Sequence, residues 1–133
     1  MIIDLNPHID DFKAQAFADI DQQAEERRCE YVTTGSAQAM VYLTKDAEAL
    51  AYQANTAIDP ALIPHIAAEA SATSSTLADI AALVIQNAES WRIISARIEG
   101  ARRGAKTTIE QATTLTQIKQ ALVIDWATIE AGA

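Results

Sequence analysis

The chain is poor in the residues that carry most site chemistry. Its 133 residues include one cysteine, Cys29, and two histidines, His8 and His65. A single cysteine excludes an internal disulfide framework and fits a reducing compartment. Cys29 reads as an inert helix residue. The two histidines stand far apart, each near an expected helix start, with no His-x-x-x-His, Cys-x-x-Cys or Glu-x-x-His spacing around them. No metal and no cofactor is expected on that pattern.

Other absences exclude whole classes of function. The four glycines form neither a Gly-x-Gly-x-x-Gly turn nor a phosphate-binding loop, and Ser36 and Ser90 lack the strand-to-helix elbow of a hydrolase nucleophile. Acidic pairs such as Asp10-Asp11 and Glu25-Glu26 read as a solvated face, because neighbours on a helix point about 100° apart. No catalytic constellation is present, and a non-enzymatic protein is expected. Lys and Arg number 10 against 18 Asp and Glu, for a net charge of −8. That balance disfavours nucleic acid and anionic lipid as partners. The longest apolar run, Ile80 to Ile85, is far below the roughly 20 residues of a membrane span, and the first residues do not read as a secretory signal.

What is abundant is alanine, 28 residues of 133, while Gly and Pro together number seven. Alanine is the best helix former, so the composition specifies helix. It also makes the core thin, because each alanine buries little area at roughly 25 cal/mol per Å². Self-association or a partner would offset that deficit.

Periodicity places the helices. Asn6-Pro7 supplies a cap and a first-turn proline, and Ile9, Phe12, Ala16, Ile20 and Ala24 then recur at three- and four-residue steps as far as about Val32. Thr33-Thr34-Gly35-Ser36 interrupts this pattern and offers Ser36 as the next cap. Met40, Leu43, Ala47, Leu50 and Ala54 form a second stripe, narrow enough for a coiled-coil seam. These two helices make either an antiparallel hairpin or one bent rod. Asp59-Pro60 repeats the cap-and-proline signature, Pro64 follows, and Ser71 to Thr76 is small and polar. The resulting division is an N-terminal arm at 1–58, a hinge at 59–76 and a C-terminal unit at 77–133.

The clearest element spans about Leu77 to Arg103. Leu77, Ile80, Val84, Asn87, Trp91, Ile94 and Ile98 fall at heptad steps and form a candidate oligomer or partner seam. Asn87 either sets register in an intermolecular seam or edges an intramolecular core. Gly100 and Gly104 bracket the basic end of this helix. Thr107-x-x-Glu110 and Thr114-x-x-Gln117 both fit a capping box, predicting short helices at 108–113 and 115–122, with Trp126 folding back onto the long helix. The fold expected is all-α: a helical arm or hairpin and a long amphipathic helix with short helices folded back on it, as a bundle or coiled-coil oligomer.

Two stretches carry a resemblance. Ala24-Glu25-Glu26-Arg27-Arg28 and Tyr31 through Tyr42, with Lys45 and Glu48-Ala49, resemble a segment of small tail-associated proteins of tailed bacteriophages. Asn87 through Trp91, Ile98 through Arg103, Ala112 through Leu115 and Ile124-Asp125-Trp126 are similar to a helical domain at the ends of phage tail-fibre, tail-fibre-assembly and baseplate-neighbourhood proteins. The resemblance implies a structural or adaptor component of a phage tail, assembled in the host cytoplasm, with tail or tail-fibre proteins as partners. Apart from the resemblance, the thin core and the heptad-spaced seam lead us to expect a homo-oligomer, a trimer included. A tail-fibre assembly chaperone absent from the virion is the alternative, and a small acidic inhibitor of a host protein is another. The family has no assigned active-site residues, so none is carried over.

Overall fold

The computed structural model describes residues 6–32 and 36–132, and among them the only regular structure is helical. The elements are α1 (Asn6–Cys29), α2 (Ser36–Ala54), a 3-10 turn at Pro60–Leu62, α3 (Pro64–Ala72), α4 (Leu77–Gln111), α5 (Leu115–Ala121) and α6 (Trp126–Ala131). The Thr33-Thr34-Gly35 break lies outside the described residues, as do the side chains of Asn6 and Ser36 and hence the caps expected there.

Local chemistry accounts for most boundaries. The Asp59 carboxylate accepts the Ala61 N–H at 3.0 Å, and Pro60 opens the turn that follows. Thr76 Oγ1 accepts the Asp79 N–H at 3.0 Å at the start of α4. Thr114 and Gln117 form the expected capping box, which starts α5. The Asp125 carboxylate accepts the Thr128 N–H and starts α6, which ends at Gly132 with φ 78°. That left-handed conformation favours glycine.

Two helix ends differ from expectation. α1 stops at Cys29, three residues before Val32. α4 is 35 residues long and runs through Gly100 and Gly104 as far as Gln111. Thr107 therefore caps nothing; its hydroxyl donates to the Arg103 carbonyl one turn back. Of the short helix expected at 108–113, residues 108–111 are the last turn of α4, while Ala112 and Thr113 are non-helical. Two interior glycines cost about 2 kcal/mol relative to alanine. Burying the Ile109 side chain completely stabilises by about the same amount. The half-buried Ala105 beside it tips the balance towards a continuous helix.

Packing divides the chain into two compact units, Met1–Val32 with Ile94–Ala133, and Thr33–Ile93. These cut the chain at other places than the arm, hinge and C-terminal unit read from the sequence. In the first unit Ala16, Ile20, Ile109, Ala112 and Ile118 form one core cluster, and Ala24, Ile98 and Trp126 form another. Trp126 thus packs against α1 and α4 together. In the second unit Ala49, Ile63, Ile66, Ala70, Ile80 and Ala81 form the core. Ile63 and Ile66, both fully buried, come from the 59–76 stretch. α4 gives residues 77–93 to the second unit and 94–111 to the first.

Candidate interaction surfaces

The expected seam on α4 is largely consumed within the chain. Ile80 is buried in the second unit's core, with Leu77 and Val84 packed against it. Ile98 is fully buried beside Ala24 and Trp126 in the first unit, with Ile94 alongside. Side chains already covered by the chain's own residues are not available to line a contact with another molecule. Asn87 is exposed and Trp91 half-buried, so the structure places Asn87 outside both cores.

α2 is inverted with respect to the usual pattern. Its expected core stripe faces outward: Met40 is 68% exposed, Leu43 73% and Leu50 45%, and Ala47 and Ala54 are exposed too. Its charged residues face the other way. Lys45 pairs with Glu69 at 2.8 Å, Asp46 with Arg92 at 3.1 Å, and buried Glu48 with His65 at 3.0 Å. Glu48 also accepts the His65 N–H at 2.9 Å. This caps α3, whose own N-cap, Ile63, has no side chain able to do so. The inward charges explain why, among the described residues, Ala49 alone represents α2 in the fully buried core. Every exposed residue of α2 from 38 to 54 is consequently uncharged.

A polar network fastens the first unit. Arg27 donates two hydrogen bonds of 2.6 Å to the Glu130 carboxylate, which also accepts the Tyr31 hydroxyl at 2.9 Å. Arg97 donates to the Glu130 backbone carbonyl at 2.8 Å. Gln23 accepts the Trp126 indole N–H at 3.0 Å and donates to the Leu122 carbonyl at 3.1 Å. The α6 helix is therefore held to α1 and α4 by charge-assisted bonds around a buried tryptophan. The Arg27 guanidinium lowers the pKa of Glu130, and the Glu130 carboxylate raises that of the Tyr31 phenol.

Along the same unit Arg102 bridges Glu99 and Asp21, Lys106 reaches Asp21 at 2.8 Å, and Arg28 reaches Glu99 at 2.9 Å. Arg102 is the main cause that holds the Glu99 carboxyl down at about 2. Lys106 and then Arg102 lower Asp21. These carboxylates are held ionised as counter-charges in ion pairs. Cys29 is pushed up, by burial and then by the Glu25 carboxylate, which disfavours the thiolate a nucleophile needs.

Among the described residues no three His, Cys, Asp or Glu side chains are grouped as metal ligands, and no helix is long and apolar enough to cross a membrane. Two open depressions in the first unit are lined by His8, Asp11, Phe12 and Gln15, and by residues of α5 and the end of α4. Their lining side chains are mostly exposed to solvent, unlike the enclosed apolar pockets with a few convergent polar groups that bind small molecules. Comparisons with protein-family models, curated proteins and solved structures return no match to this chain.

Proposed function

We propose that this chain is a non-enzymatic structural or adaptor component of a bacteriophage tail, joining tail-fibre or baseplate parts through helix packing. The observation that carries the packing half of this reading is the inversion of α2. A helix that turns Lys45, Asp46 and Glu48 inward and leaves Met40, Leu43 and Leu50 outward bears a desolvation cost that surface burial by a partner offsets. Asp46 Oδ1, buried without a hydrogen-bond donor, is part of that cost. The phage-tail half rests on the resemblance of residues 24–50 and 77–126.

The test is quantitative mass spectrometry of purified particles from the phage or induced prophage that encodes the chain. A structural component is found at fixed stoichiometry with the fibre or baseplate proteins. Abundance in the infected-cell lysate with absence from particles would replace this reading by that of an assembly chaperone.

A further inference from the structure

We infer that the outward face of α2 pairs with the α2 of a second copy of this chain, antiparallel, as a transient dimer. The inference deepens the packing half of the proposed function by naming the occupant of that face, and it does not depend on the phage-tail half.

Spacing provides the first argument. Met40, Leu43, Ala47, Leu50 and Ala54 are separated by 3, 4, 3 and 4 residues, the two-position heptad seam of a helix pair. All five are exposed, so the seam is open along its whole length. On α4 the comparable spacing is filled from within the chain at Leu77, Ile80, Val84, Ile94 and Ile98; on α2 it is not.

Size provides the second. Leucine and alanine alternate along this seam from Leu43 to Ala54. In a parallel pair, like would meet like, and the Ala47 layer would leave a gap between two leucine layers. An antiparallel pair can be set so that Leu43 lies over Ala54 of the partner subunit and Ala47 over Leu50 of the partner subunit. Two-fold symmetry repeats both contacts, giving four layers, each with one large and one small side chain. That arrangement fills space evenly, as close packing requires.

Charge provides the third. Each copy carries −8, so two copies repel except where the meeting faces are neutral. The α2 face is such a surface, since its exposed residues, Ala39, Thr44 and Gln53 included, carry no charge. An acidic or basic partner segment would lose hydration there with no counter-charge in return. A second copy brings a face of the same neutrality.

Extent sets the strength. Fifteen residues at 1.5 Å rise make a strip about 22 Å long and about 10 Å wide. This is well under the roughly 800 Å² per partner of a standard interface, so the pair is concentration-dependent.

Sedimentation equilibrium of the full chain under reducing conditions, from about 1 μM to about 500 μM, tests the inference. The expected mass rises from 14.3 kDa towards twice that value. Leu43→Glu, at a solvent-exposed position, keeps the wild-type circular dichroism and weakens the association at least tenfold. Ala47→Lys and Leu50→Glu each weaken it alone, and an equimolar mixture of the two recovers association, because those positions face each other across the antiparallel pair. A wild-type chain that stays at 14.3 kDa throughout, a limiting mass of three or more chains, an unaltered Leu43→Glu variant, or a mixture without recovery would each overturn the inference. The mass and the virion content are independent readouts, so failure of one reading is distinguishable from failure of the other.

Discussion

Arg27 and Glu130, 103 positions apart in the chain, meet in a two-pronged ion pair with both hydrogen bonds at 2.6 Å. The partners are unequally buried: the Arg27 side chain is 33% exposed and that of Glu130 only 6%. Removing the arginine strands a buried carboxylate, whose remaining hydrogen-bond donor among the described residues is the Tyr31 hydroxyl. Removing the glutamate leaves a cation that water can reach. Arg27→Ala is therefore expected to destabilise the first unit by about 3 kcal/mol, and Glu130→Ala by about half as much. Urea denaturation of both variants checks the asymmetry, and equal losses would contradict it.

The clasp also marks a limit of sequence reading. The pattern around Trp126 is legible as an apolar turn that folds back, and the Thr114-Gln117 cap is legible because it is local. Nothing near Arg27 points to Glu130, since the pairing exists only after α1 and α6 are brought together. α2 was obscured for a related reason. Its two faces are both rich in alanine, so the choice of inner face falls to Lys45, Asp46 and Glu48, whose partners Glu69, Arg92 and His65 lie on other helices. Hydrophobic periodicity scores those charges as exposed. The Thr107-Glu110 pattern failed in the opposite way, as a genuine local signal overridden by burial of Ile109 in a continuous α4.

Glu48 stands in for the missing N-cap of α3, and the two functions of its carboxylate are separable. Glu48→Gln retains an oxygen to accept the His65 N–H but loses the charge facing the imidazole. Glu48→Ala loses both. The alanine variant is expected to cost about 2 kcal/mol and the glutamine variant less than half of that. Amide exchange at His65 reads the cap directly: it should accelerate strongly in Glu48→Ala and little in Glu48→Gln. Equal acceleration in both would show that the charge, and not the acceptor, holds the helix end.

Acid should loosen the first unit over a defined window. Glu99 is held at about 2, below its ordinary 4.5, and Asp21, Asp125 and Glu130 are also lowered. A depressed folded-state pKa means that the unfolded chain binds more protons as pH falls. The stabilisation is thus complete above about pH 4.5 and is lost on descent towards pH 2. Glu99 is 45% exposed on its side chain, so salt screens its pairs and reduces the effect. Glu99→Gln should lie below wild type in Tm at pH 7 and low salt, and the two should converge by about pH 2. A constant gap across that window would remove Glu99 from the account.

The glycines of α4 and the glycine after α6 should respond to alanine with opposite signs. Gly100 and Gly104 are exposed inside a continuous helix, and a Cβ at either meets no atom within 4 Å. Alanine there reduces the freedom of the unfolded chain and raises helix propensity, so each replacement should stabilise by about 0.5–1 kcal/mol. The sites are one turn apart with no shared partner beyond the helix, so their effects should nearly add. Gly132 has φ 78°, and a Cβ there would lie 2.7 Å from the Arg97 guanidinium carbon. Alanine at 132 must bear a left-handed backbone, costing about 1–2 kcal/mol, and must also displace the arginine that donates to the Glu130 carbonyl. Thermal denaturation of the three single variants and of the Gly100→Ala, Gly104→Ala pair decides the matter. Stabilisation by the pair is the outcome expected of two exposed glycines inside α4; destabilisation would mean that the glycines are required for a bend or a close approach.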